Sequence, residues 1–65
     1  MNDWNDNTVM PWGKHQGVQL KDIPDSYLHF MWQKYESGEY ETHYKFKAYL
    51  DENIDAIKAN LARNP

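Results

Sequence analysis

The residues with the clearest potential for chemistry lie in a short glycine-flanked segment, Gly13-Lys14-His15-Gln16-Gly17. Two glycines around polar residues are typical of a tight turn with positive φ angles, and backbone N–H groups in such a turn can form an anion-binding concavity. Lys14 and His15 would then contact a phosphate or another anion. The segment is not a Walker loop, because it lacks that loop's glycine spacing and its Lys-Ser/Thr ending.

The neighbouring residues favour an anion as the ligand. From Trp12 to Lys21 the chain contains two lysines, one histidine and no acidic residue. The candidate ligand-binding residues are therefore Trp12, Gly13, Lys14, His15, Gly17 and Lys21. The charge of the whole chain argues the other way, because a formal net charge of −3 is unlike that of proteins that coat DNA.

No set of residues forms a recognisable catalytic constellation. Cysteine is absent, and neither Ser26 nor Ser37 lies in the sharp strand-to-helix turn that exposes a nucleophilic serine. Asp22 and Asp25 could act as paired carboxylates, but capping a helix and interacting with its dipole explain them more simply. We expect the protein not to be an enzyme.

The histidines give no metal-binding pattern. They are His15, His29 and His43. No two of them have the i to i+4 spacing that places two ligands on one helix face, and thiolate zinc sites are excluded without cysteine. We expect no metal and no cofactor.

Length and composition predict one small domain. A chain of 65 residues can bury only a thin core, and it has no cysteine to form disulfides. The absence of cysteine favours a reducing compartment, so we expect the cytoplasm. We expect no membrane partner, because the longest apolar run, Phe30-Met31-Trp32, is too short for a bilayer, and residues 1–7 do not resemble a signal peptide.

The elements that must position the glycine-flanked segment are predicted from residue patterning. Thr8–Trp12 has the β-branched and aromatic residues of a strand, with Pro11 at an edge or bulge, and Val18–Leu20 alternates like a second strand. Together they predict a β-hairpin that must pack against helices. The predicted fold class is α+β. Residues 1–8 would form a flexible acidic tail that only Trp4 could anchor, and residues 9–65 one compact domain.

Two helices are predicted after the hairpin. The first runs from about Pro24 to Glu36, with Asp22 as its N-cap and Gly38 in the left-handed conformation after its end. The second spans about Thr42 to Arg63 and carries an apolar stripe at helical spacing. The stripe consists of Phe46, Leu50, Ile54, Ile57 and Leu61. One continuous helix is preferred, but Asp51 could instead cap a second, shorter helix.

A longer pattern in the chain resembles a known family. Met10-Pro11-Trp12-Gly13-Lys14-His15-Gln16-Gly17 is followed by Leu20-x-x-Ile23-Pro24-x-x-Tyr27-Leu28. This resembles a small bacterial and phage domain family whose members are described as putative quorum-sensing-regulated virulence factors. It is also similar to a domain at the C-terminus of some exodeoxyribonuclease-like proteins. Trp12 stands where the family has phenylalanine. The resemblance covers residues 10–32 and implies a compact α+β fold but little about function.

The aromatic residues allow both a structural and a binding interpretation. They make up 15% of the chain, which is more than one small core is expected to hide. Those considered for exposure are Trp12, Tyr27, Phe30, Trp32, Tyr35 and Tyr40. Most should be core, while one or two could stack on bases near Lys14, Lys21 and Lys34, or anchor a protein partner.

Two functions follow from these features. The first is a non-enzymatic accessory module that binds nucleic acid or another phosphate-bearing ligand through the Gly13–Gly17 loop. The alternative is a protein-interaction module, a small bacterial or phage regulator or inhibitor that binds a partner or self-associates through exposed aromatics. The glycines, Pro24 and the aromatics can also be explained by folding alone. The ligand and the oligomeric state stay open.

Overall fold

The computed structural model describes residues 3–63, and its regular structure is helical. A single 3-10 turn, Leu20–Asp22, precedes helix α1, Asp25–Ser37, and helix α2, Tyr44–Arg63. Both predicted helices are confirmed, and the second is one continuous helix rather than two. Neither α1 nor α2 has both the length and the apolar character needed to cross a membrane.

The two helices pack against each other in antiparallel fashion. At one end, the Asn60 side chain in the last turns of α2 donates a hydrogen bond to Asp25 at the start of α1, at 3.0 Å. At the other end, Lys47 in the first turn of α2 forms an ion pair with Glu36 in the last turn of α1, at 2.9 Å. These two contacts tie both ends of the helix pair, so a six-residue connection is sufficient to join α1 to α2.

The bounds of α1 follow from local residue preferences. Gly38 follows its last turn in the left-handed conformation (φ +78°), and its N–H donates to the carbonyl oxygen of Tyr35, as the sequence predicted. Asp25 lies in the first turn, where a negative charge interacts favourably with the helix dipole. The predicted N-cap role of Asp22 is wrong, because Asp22 lies in the 3-10 turn and Pro24 occupies the cap position without a side-chain hydrogen bond.

The start of α2 is fixed by a histidine. The Phe46 N–H donates to Nδ1 of His43 at 3.3 Å, and the Lys47 N–H donates to the His43 carbonyl oxygen at 2.9 Å. The His43 side chain therefore satisfies the Phe46 N–H, a donor that the first turn of a helix leaves without a partner, while the His43 carbonyl oxygen accepts the first bond of the helix ladder. The sequence placed the start of the helix two residues earlier, at Thr42.

The predicted β-hairpin is wrong, and with it the α+β fold class that the resemblance also implied. The fold of residues 3–63 is all-α, without a strand. The segments Thr8–Trp12 and Val18–Leu20 do lie side by side, but Val9 and Gln19 form one isolated antiparallel bridge rather than a ladder.

The bridge cannot extend for two local reasons. The Met10 N–H donates to the Val18 carbonyl oxygen at 2.9 Å, but the Val18 N–H does not return the bond, because it donates to the His15 carbonyl oxygen within the loop. On the other segment, Leu20 already begins the 3-10 turn. Both segments therefore remain irregular loops held against the helices.

The core is shared between the irregular N-terminal segment and both helices. Its most deeply buried large side chains are fully enclosed and come from three regions of the chain. They are Met10, Leu20, Phe46 and Leu50. Met10 and Leu20 thus bury their side chains directly against the helix pair, and no hairpin is needed to place them in the core.

Residues 3–8 also lie against the helices. The Trp4 ring packs 5.6 Å from the Phe46 ring, the Tyr49 hydroxyl donates to Asp6 at 2.8 Å, and Lys45 forms an ion pair with Asp3 at 3.1 Å. Part of the segment predicted as a tail is therefore in contact with α2, with Trp4 as its apolar anchor.

Candidate functional site

A groove of about 430 Å³ lies between the glycine-flanked loop and the first turns of α1. We call it the loop–α1 groove. One wall carries two residues of the loop and the other carries residues at the start of the helix. Its lining residues are Lys14, His15, Pro24, Ser26, Tyr27 and Phe30. The volume is at the lower end of the range for small-ligand sites.

The loop wall is held by glycine conformations and backbone hydrogen bonds. Gly13 and Gly17 have φ angles of +81° and +88°, which confirms the predicted positive values. The Gly17 N–H donates to the Met10 carbonyl oxygen at 2.9 Å, which closes the loop at its base. The loop is therefore a fixed turn with Lys14 and His15 at its tip.

The backbone of this loop offers fewer donors to an anion than a tight turn suggests. The N–H groups of Gln16, Gly17 and Val18 all donate to carbonyl oxygens of nearby residues, at 2.9 to 3.2 Å. Since those donors are already used, an anion in the groove would be bound mainly by side chains.

The loop side chains differ in how they are held. The His15 ring packs edge-on against the Tyr27 ring, with centroids 4.5 Å apart and planes at 70°. Lys14 is exposed, and no carboxylate of residues 3–63 forms an ion pair with it. The Lys14 ammonium is therefore accessible to a ligand.

The helix wall adds a hydroxyl and aromatic surface. Ser26 lies in the first turn of α1, where the backbone dipole is positive. The one acidic side chain of that turn, Asp25, accepts a hydrogen bond from Asn60 of α2 and lines a different groove. No acidic side chain lines the loop–α1 groove, so its charge is positive.

Two of the predicted site residues lie elsewhere. The Trp12 ring packs 4.8 Å from His43 and 6.0 Å from Phe46, in an aromatic cluster at the start of α2. Lys21 lines a separate groove that also contains Asp6. The structure therefore brings Lys14 and His15 together, with Gly13 and Gly17 as the turn that presents them, but it separates them from Trp12 and Lys21.

Ser26 and Phe30 line the groove but were not among the predicted site residues. Tyr27 and Phe30 were considered only as part of a general aromatic set. Their three-residue spacing places both on one side of a helix, which was a usable signal. What the sequence could not show is that the loop tip lies opposite this side.

The three histidines do not form a metal centre. His29 stacks against Trp32 with ring centroids 6.2 Å apart, while His15 and His43 contact different aromatic residues. In the part of the chain that the structure describes, no group of three or more His, Cys, Asp or Glu side chains is placed to hold a metal ion.

Comparison with known protein families identifies a family that this chain matches. The model of a family described as "Putative quorum-sensing-regulated virulence factor" matches residues 6–50. This range includes the glycine-flanked loop, all of α1 and the first third of α2. No curated protein and no solved structure matches the chain.

Proposed function

The chain belongs to the putative quorum-sensing-regulated virulence factor family, and we propose that it is a small non-enzymatic module that binds a phosphate-bearing ligand, nucleic acid included, in the loop–α1 groove. The observation that carries this proposal is Lys14 beside His15, opposite the start of α1. Lys14 has no ion-pair partner among residues 3–63 and no acidic neighbour in the groove. A cation beside a helix N-terminus is a favourable arrangement for a phosphate.

The net charge of −3 does not contradict binding at this groove. No acidic side chain lines the groove, and Glu36, Asp51 and Asp3 lie beside lysines elsewhere on the surface. At physiological ionic strength charges more than about 8 Å apart are largely screened, so local charge matters more than the total. The weak overall field does favour a short contact with a ligand rather than the coating of a long duplex.

The likeness to the C-terminal domain of exodeoxyribonuclease-like proteins remains a hypothesis, because the comparisons show no such match. It agrees with a nucleic-acid ligand but does not support it independently. The cytoplasmic location is likewise a proposal, which cell fractionation of the tagged chain tests.

Titration of a labelled oligonucleotide at low and moderate salt tests the proposal. We expect Lys14→Ala to weaken binding by about tenfold, which is the effect of losing one charge-assisted contact. The slope of log affinity against log salt concentration should fall by about one, because one counterion fewer is released. Lys21→Ala is the matched control, since it removes the same charge from a different groove. Far-UV circular dichroism confirms that both variants fold.

Two results would contradict the proposal. One is the absence of binding at tens of micromolar protein even at low salt. The other is an equal loss of affinity in the Lys14 and Lys21 variants, which would indicate a general charge effect rather than a groove.

A protein-interaction module is the second candidate, favoured by exposed aromatic side chains. Phe30, Tyr40 and Tyr44 are 42%, 43% and 74% exposed, and exposed aromatics are typical of binding hot spots. Light scattering over a range of concentrations tests self-association, and Tyr44→Ser should then shift the mass towards the monomer. A constant monomer mass together with no partner recovered in pull-downs would rule this candidate out.

A further inference from the structure

The loop–α1 groove joins a free cation to an aromatic wall. Tyr27 and Phe30 lie on the wall opposite Lys14. Phe30 is 42% exposed, which is unusual for a large apolar ring, whereas Tyr27 is held by its contact with His15. A bare phosphate would use Lys14 but would leave the exposed ring of Phe30 in water.

The orientation of Phe30 is fixed by its neighbours. The Tyr40 ring meets it edge-on at 6.3 Å, and the ammonium of Lys34 lies 5.2 Å from its centroid. Lys34 is itself paired with Glu39, so its charge is neutralised locally. Because Phe30 is already held in place, a ligand that stacks on it would lose little side-chain entropy from the protein.

The ligand class follows from the combination of cation and ring. We propose that the loop–α1 groove binds single-stranded nucleic acid, with a backbone phosphate against Lys14 and a base stacked on Phe30. This inference rests on the proposed function and adds the polymer and its unpaired bases to it. A groove of about 430 Å³ is large enough for a nucleotide unit rather than for a phosphate ion alone.

Duplex nucleic acid fits the groove less well. In a double helix the base faces are covered by stacking, so Phe30 would have no partner and binding would depend on phosphate contacts. The groove supplies one free lysine and one histidine for such contacts, in a chain of net charge −3. Proteins that bind single strands combine cationic contacts to the backbone with stacking of bases on aromatic side chains, and the stacking adds to the affinity.

Three ligands and two substitutions test this inference. The ligands are an eight-nucleotide oligothymidylate, an abasic strand with the same phosphates, and thymidine monophosphate, all measured by fluorescence anisotropy directly or in competition. We expect the oligothymidylate to bind about tenfold or more tightly than the abasic strand, which is the effect of at least one stacked base. Phe30→Leu should reduce this ratio to near one, whereas Phe30→Tyr should preserve it.

Tyr44→Leu is the matched control for loss of an exposed aromatic ring. Tyr44 is 74% exposed and lies at the start of α2, outside the groove. The variant should leave the oligothymidylate-to-abasic ratio unchanged. If Tyr44→Leu lowers the ratio as much as Phe30→Leu does, stacking is not located in the groove and the inference is wrong.

The ligands separate failure of this inference from failure of the proposed function. Equal, Lys14-dependent binding of the abasic strand and the oligothymidylate would overturn the stacking inference and leave the phosphate site intact. Thymidine monophosphate competing as well as the oligothymidylate would overturn the choice of a polymer. Binding of none of the three would overturn the proposed function itself.

Discussion

The hydrogen bond between Tyr49 and Asp6 provides a direct test of how the N-terminal segment is held. The Tyr49 hydroxyl donates to the Asp6 carboxylate at 2.8 Å, and Tyr49 is only 5% exposed. Tyr49→Phe removes the hydroxyl and keeps the buried ring, so it isolates this bond. We expect the variant to fold and to be less stable than the wild type.

The size of the effect follows from the surroundings of the bond. Hydrogen bonds to charged groups contribute about 1.5–3 kcal/mol when they are buried. Asp6 is exposed, and water replaces part of that contribution, so we expect a loss of about 1 kcal/mol in the free energy of unfolding. For a domain of this size that corresponds to a decrease in Tm of about 4–8 °C.

The same bond predicts an alkaline dependence of stability. Burial, together with the hydrogen bond to Asp6, raises the pKa of the Tyr49 hydroxyl far above its ordinary value of 10.0. The protonated hydroxyl is therefore favoured in the folded state, and its contribution is complete below pH 10 and is lost as the pH rises beyond it. Tyr49→Phe should remove this part of the alkaline loss.

Thermal and urea unfolding of a double-mutant cycle measures the bond. Tyr49→Phe, Asp6→Ala and the double variant should show a coupling free energy of about 1 kcal/mol. Tyr44→Phe, which removes a hydroxyl from an exposed ring, is the control and should change the stability by less than about 0.5 kcal/mol. Additive losses, with a coupling below about 0.3 kcal/mol, would show that the bond does not contribute to stability in solution.

Three further predictions concern the fold. Leu20→Ala should lower the free energy of unfolding by about 2–5 kcal/mol, a large share of the stability of so small a domain. Val9→Ala is the control and should change the stability little, because Val9 is exposed. Equal effects of the two substitutions in urea unfolding would contradict the assignment of Leu20 to the core. Gly38→Ala should lower the free energy of unfolding by about 1 kcal/mol, because a φ of +78° is strained for alanine even though the surroundings of Gly38 are open. An unchanged Tm in thermal unfolding would argue against the left-handed end of α1. Burial alone would raise the pKa of Asp51, but the hydrogen bonds that it accepts from Lys47 and the Trp32 indole N–H together lower it. The stabilising contribution of Asp51 is therefore present above about pH 4 and is lost as the pH falls through the lowered value. Asp51→Asn should therefore lose less stability than the wild type between pH 5 and pH 2, by well under 1 kcal/mol because the pair is half exposed, and parallel pH profiles would refute this.

The helices were predictable because their signals are local. Gly38 marks the end of α1 through its own backbone preference, and the apolar stripe from Phe46 to Leu61 requires one face of a single continuous helix. The capping role of His43 was missed, because histidine is not among the residues that usually cap a helix by their side chain.

The hairpin was wrongly predicted because residue patterning alone does not distinguish a strand from an irregular segment that packs on helices. Thr8–Trp12 and Val18–Leu20 have suitable residues and do approach each other. The pairing stops at one bridge because the Val18 N–H donates within the loop and Leu20 begins a 3-10 turn. Burial of Met10 and Leu20 against the helices stabilises the irregular backbone in place of a ladder.

The sequence by itself determined the two helices and the turn formed by Gly13 and Gly17, because these depend on backbone preferences and on residues close along the chain. Only the tertiary structure decided which side chains share a groove. It set Phe30 opposite Lys14 and moved Trp12 into the cluster at His43, because packing on the helix pair sets distances between residues far apart in the chain.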